Sequence, residues 1–170
     1  ITKNKNQMQA VEILKNTKVF KNTLLVLWGR EVDNGEVRRK IVEYQLHKNV
    51  ILGGFNDQMD IFWKFCDINL FLSLNDGFGL PIVEGYMHGV PCVTFEDLDA
   101  TQDLYYPEAM LKVKDRSIES VANALRTSLD KNWNHEEIAE IGNMFSIDSM
   151  SEKYVNWYLS LIHISEPTRH

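Results

Sequence analysis

The stretch NDGFGLPIVEGYMHGVP, residues Asn75–Pro91, decides how this chain is read. It follows an apolar run, INLFLSL (Ile68–Leu74), and brings together a Gly-Phe-Gly turn, a proline and two carboxylates, Asp76 and Glu84. Glycines on either side of Phe78 let the backbone come close to another group, and Pro81 suits the first turn of a helix. A strand that turns here and leaves as a helix presents the free N–H groups of Phe78, Gly79 and Leu80 at the positive end of a helix dipole. That is the layout of an anion site.

Outward from the motif, apolar runs of strand length alternate with stretches of helical period. Gln7–Val19 places Met8, Val11, Ile13 and Leu14 near one helical face, and TLLVLWG (Thr23–Gly29) is a continuous apolar run. Gly35–His47 has helical spacing, NVILGG (Asn49–Gly54) reads as a short buried strand, and a helix is expected over Gln58–Cys66 before the Ile68–Leu74 strand. After the motif, Pro81–His88 forms a helix closed by Gly89, and Pro91–Phe95 and Leu111–Val113 form strands. Ser117, Asn134 and Asp148 begin further helices, and Thr94–Glu108 reads as a solvated connection or a loop over a cleft. Strands this apolar, separated by helices, predict an α/β fold with a doubly wound parallel sheet. Such a sheet binds ligands at the carboxyl ends of its strands, where Asp76–Leu80 falls.

The 170 residues suit one domain with a single core. A formal net charge of −6, with no basic block, argues against a nucleic-acid surface. Cys66 and Cys92 sit in apolar runs without a CxxC spacing, so they read as reduced core thiols in a cytoplasmic protein, peripheral to a membrane at most. No segment has the length and apolarity of a membrane span. LSLIHISEPTRH, Leu159–His170, resembles the translation of a sequencing adaptor. The domain is therefore expected to occupy 1–158 and to be truncated at its N-terminus, with 159–170 a non-native tail.

Glu84, one turn into the helix, is too close to a bound phosphate to help hold it. A carboxylate there suits neutral hydroxyls, such as the pair on a ribose, and Asp76 can serve a sugar beyond the phosphates. Taken singly, each acid reads first as a solvated surface carboxylate.

With these residues in place, D-GFGLPIV-E-GYMHGVP resembles the donor-binding, C-terminal domain of retaining glycosyltransferases of the GT-B fold, glycosyltransferase family 4, also called glycosyl transferases group 1. KNKNQMQAVEIL (Lys3–Leu14) is similar to that family's Lys-Asn-Gln helix start, and NVILGGF (Asn49–Phe55) to its strand before the base pocket. The resemblance implies that Glu84 holds ribose hydroxyls, that Asp76 meets the donor sugar and that Lys5 neutralises the diphosphate. It places Gly77, Phe78, Gly79 and Leu80 against the sugar and phosphates, and Gly54 and Phe55 near the base.

The implied reaction moves a sugar from a nucleoside diphosphate to an acceptor hydroxyl, with retention, and with no metal or other cofactor. The acceptor would be a glycan, a lipid-linked substrate or another hydroxyl compound, held by an N-terminal domain outside this chain. This span alone would bind a donor without turnover. Asp76 stands where the family has glutamate, which shortens its reach by roughly 1.5 Å. The competing expectations are a nucleotide-sugar epimerase or phosphorylase of the same fold, and a non-catalytic sugar-nucleotide-binding module.

Overall fold

The computed structural model describes residues 1–16, 20, 22–55 and 59–165, with side chains as far as Leu161. Along the chain, α1 (Gln7–Asn16), β1 (Leu25–Trp28), α2 (Glu36–Glu43) and β2 (Val50–Gly54) form a first stretch of alternating elements. Then come α3 (Met59–Trp63), β3 (Asn69–Phe71), α4 (Leu80–Met87), β4 (Cys92–Phe95), α5 (Asp99–Leu104) and β5 (Met110–Val113). Three helices close it: α6 (Ile118–Asp130), α7 (His135–Asn143) and α8 (Ile147–Ser165). The ends expected for the first and third helices, at Val19 and Gln58, lie outside the described residues.

Every strand pairing is parallel. β1 lies beside β2, with Leu25 opposite Val50, and β3, β4 and β5 form a second ladder in that order. Burial explains why helices cover both faces. Successive strand residues point to opposite sides. Leu72, Val93, Phe95 and Val113 accordingly join Leu27 and Val50 in one core with Val11 and Ile13 of α1 and Val121 and Leu125 of α6. Their neighbours Phe71, Cys92 and Met110 face the other way, into a second core with Ile82 and Tyr86 of α4, Leu104 of α5 and Ile138 of α7. The doubly wound arrangement is thus present, although its strands pair as two ladders rather than one continuous sheet.

β3 is shorter than the apolar run that forms it. Leu72 and Ser73 stay buried, but the Leu74 N–H leaves the ladder and donates to the Asn4 carbonyl (2.7 Å). α5 is a helix where the sequence suggested a connection or loop. Its inward positions are Ala100, Thr101 and Leu104, too small and too polar to show a hydrophobic period, and the buried Thr101 hydroxyl donates to the Phe95 carbonyl (2.8 Å). The Ser117 and Asn134 caps form as expected, accepting from the N–H groups of Ser120 and Glu137. At α8 the cap is Ser146, two positions before Asp148, accepting from Ser149 N–H (3.2 Å). α8 then continues without a break through Leu159 to Ser165.

Both cysteines are free. Cys92 is buried and Cys66 half-buried, with its thiol pushed up to about 12 mainly by burial. α7 packs on α4 through Gly142, where an added Cβ would stand 2.2 Å from the Met87 nitrogen. No described helix is long and apolar enough to cross a membrane.

Candidate functional site

The site begins with how the loop before α1 is fastened to the loop between β3 and α4. Asn4 accepts from Leu74 N–H, and its side-chain amide donates to the Asn75 carbonyl (2.9 Å). Next to it, the Lys5 ammonium forms an ion pair with Asp76 Oδ2 and lies 5.5 Å from the centre of the Phe71 ring. Residues far apart in sequence are thereby joined at the carboxyl end of β3.

Asp76 also shapes its own loop. Its Oδ1 accepts the Gly79 N–H (2.9 Å), an arrangement that a longer glutamate would not reproduce without moving the loop. Burial pushes the Asp76 carboxyl up, but its bonds with Lys5, Gly79 and Phe78 outweigh that and hold it below the ordinary carboxylate range. Two of the three N–H groups expected to be open at the helix start, those of Phe78 and Gly79, therefore bond with Asp76. Gly79 itself caps α4 in the left-handed region, φ 78°, and an added Cβ would lie 3.0 Å from both Ala100 Cβ and Ile82 Cδ1. Only glycine meets both demands. Gly77 is different, because open space surrounds it. α4 starts at Leu80, so Pro81 falls within its first turn.

Glu84 is exposed on α4 one turn from that start, and among the described residues no hydrogen bond or ion pair engages its carboxylate. Its carboxyl is pushed above the ordinary range, chiefly by desolvation; His88 pulls it down and Asp60 pushes it further up. His88 lies on the same helix, its Nδ1–H donating to the Glu84 carbonyl (2.8 Å) and its Nε2 facing Asp60 of α3 at 3.5 Å. Its ring stacks on Trp63. A free, partly desolvated acceptor one turn into α4 can bind hydroxyls of a ligand whose anionic part meets Lys5 and the helix dipole.

Gly54 ends β2 with φ 68° and no neighbour near its missing Cβ. Phe55 follows it and is 64% exposed, so it is not a core residue; the Arg30 guanidinium lies over its ring at 4.8 Å. Phe78 and Leu80 also project from the surface.

Sequence reasoning missed Asn4, Gln9 and Arg116. Nothing in their spacing marks them, because their roles depend on loops meeting in space. Among the described residues no group of three or more His, Cys, Asp or Glu side chains is placed to hold a metal ion. Two hollows lie elsewhere on the surface. One of about 220 Å³ is lined by Ile1, Thr2, Asn6, Asp33 and Val37, and one of about 380 Å³ sits between Asn16, Ile118 and Arg126. Neither is lined by Asp76 or Glu84.

Comparison with known proteins bears on the family and the fold. A Bacillus subtilis poly(glycerol-phosphate) alpha-glucosyltransferase is 24% identical, over 95% of this chain and 24% of its own. A glycosyltransferase from Rickettsia africae superposes with a TM-score of 0.81 at 18% identity, over 95% of this chain and 45% of that one. Anabaena HepE in complex with UDP gives a TM-score of 0.77 at 18% identity, over 94% and 46%. The chain thus spans about a quarter of the curated relative and less than half of these solved chains. The structural likeness shows the fold, an α/β unit of GT-B glycosyltransferases. The family model described as glycosyl transferases group 1 matches residues 1–143, and the chain belongs to that family.

Proposed function

We propose that this chain is the donor-binding unit of an enzyme that moves a sugar from a nucleoside diphosphate to an acceptor hydroxyl, with retention at the anomeric carbon. The observation that carries the reading is the unengaged Glu84 carboxylate one turn into α4, with Lys5 held beside the start of that helix by Asp76. The diphosphate lies at the start of α4 against Lys5, the ribose hydroxyls donate to Glu84, and the sugar faces Asp76 and the Gly77–Leu80 backbone. Gly54 and Phe55 border the base. UDP, which HepE binds, and a glucosyl donor, by analogy with the Bacillus relative, are the first candidates.

In this scheme the protein lowers the barrier by stabilising charge and by positioning. The bond between the anomeric carbon and the diphosphate breaks toward an oxocarbenium-like state, and the negative charge that leaves with the diphosphate meets the Lys5 ammonium and the α4 dipole. No metal has a part in this proposal. The acceptor and its site belong to the rest of the polypeptide, so this chain binds donor without turnover.

Saturation-transfer NMR with UDP-glucose, in chelator, tests the reading. Ribose and glucose protons should both receive saturation, and Glu84→Ala should abolish the ribose signal first. A spectrum in which only the uracil protons respond would overturn the assignment.

A further inference from the structure

A polar ring encloses the loop that carries Lys5. Gln9 lies on the buried face of α1, only 8% exposed, among Ala10, Val11, Ile13 and Leu14. A polar side chain there is costly unless both ends of its amide are paired. Both are. Its Oε1 accepts from the Asn6 side-chain amide (2.6 Å), and its Nε2 donates to the Arg116 carbonyl between β5 and α6 (2.5 Å). Arg116 continues the circuit. Its guanidinium lies over the Phe95 ring, is paired with Asp97, and points Nη1 and Nη2 at the Leu74 carbonyl (3.4 Å each). Leu74 closes the circuit by donating its N–H to Asn4.

We propose that Gln9 and Arg116 are positioning residues that set the direction of the Lys5 ammonium by clamping the Asn4–Asn6 turn between α1 and the β3–α4 and β5–α6 loops. Asn6 sits in the left-handed region, φ 54°, which asparagine adopts more readily than other non-glycine residues. Gln9 fixes it twice, through its side-chain oxygen and through its backbone N–H to the Asn6 carbonyl (3.1 Å). Lys5, between Asn4 and Asn6, is thereby held toward Asp76 although its side chain is 41% exposed. A flexible lysine that is pre-aimed loses less freedom on meeting an anion.

The proposal rests on the donor-site reading for its ligand but not for its geometry, so two readouts separate them. Gln9→Leu suits a buried helix face and should fold; Arg116→Met leaves α1 untouched and carries the test if Gln9→Leu does not fold, and Arg116→Lys keeps a donor for Leu74. The first readout is carboxyl NMR of Asp76. In Gln9→Leu and Arg116→Met its titration should rise toward the ordinary carboxylate value as Lys5 swings away, with Arg116→Lys intermediate. The second is the affinity ratio of UDP to UMP, which should fall about fivefold or more, because UMP lacks the second phosphate that would meet Lys5. An unmoved Asp76 titration in both variants overturns the proposal, whatever UDP does. A moved titration in a protein that binds no nucleoside diphosphate supports the clamp and overturns the donor-site reading instead.

Discussion

Lys5 and Asp76, separated by 71 positions in sequence, form an ion pair that ties the start of α1 to the glycine loop before α4. Because the folded protein holds the Asp76 carboxyl low, the stability this pair contributes is complete above the unfolded carboxylate value and is lost as pH falls through the folded one. Lys5 is 41% exposed and Asp76 16%, so solvent screening limits the contribution to about 0.5–1 kcal/mol. Asp76→Asn should lower Tm by about 1–4 °C at pH 7. Melting curves against pH check this: the gap between wild type and variant should close in acid, and a gap that persists unchanged there would mean that the ion pair is not its source.

Glu84 should show the opposite sign. Its carboxyl is pushed up in the folded state, so the charged form destabilises the fold above that value and the cost is relieved as pH falls. Glu84→Gln should therefore raise Tm modestly at pH 7, by less at lower pH, while weakening nucleoside diphosphate binding. Stability lost at neutral pH would argue that the carboxylate has a structural partner.

The glycines of the motif should separate by role. Gly79→Ala meets both a left-handed backbone and two close carbons, and should destabilise by about 2–3 kcal/mol. Gly77→Ala meets open space and should leave denaturant midpoints nearly unchanged, so a loss of ligand affinity there would report on close approach of the ligand alone.

The end of α8 offers a simpler test. From Tyr154 to Leu161 its apolar side chains are largely exposed, and ending the chain after Tyr158 removes no buried residue among those described. Tm should stay within about 1 °C of that of the full chain, since exposed termini add little. A drop of several degrees would show that 159–170 contributes to the fold.

Much of this architecture was legible because its signals are local. β1, β2 and β4 follow unbroken apolar runs, Ser117 and Asn134 announce their helices by the hydrogen bonds their side chains can make, and Gly79 precedes a helix that needs it. α5 was hidden because Ala100 and Thr101 bury without a hydrophobic period, and β3 stops early because Leu74 finds its partner in Asn4 rather than on a strand. In the candidate site, Asp76 and Glu84 stand out in one motif, and Lys5 is named only by the resemblance of its helix start to the family's. That Asp76 would engage Gly79 and Lys5 together, and that Gln9 and Arg116 would enclose the lysine loop, depends on contacts between loops that no spacing encodes.

The central claim is that Lys5, the start of α4 and Glu84 form one nucleoside diphosphate site. Titration calorimetry of the chain with UDP and with GDP, in the presence of EDTA, tests it most directly. Saturable binding is predicted for at least one of them without metal, weakened by Glu84→Ala by about 1.5–3 kcal/mol, roughly ten- to a hundredfold in Kd, as a charged acceptor is lost from two hydroxyls. Absence of binding to either nucleotide, binding that appears only with magnesium, or an affinity indifferent to Glu84→Ala would contradict the account.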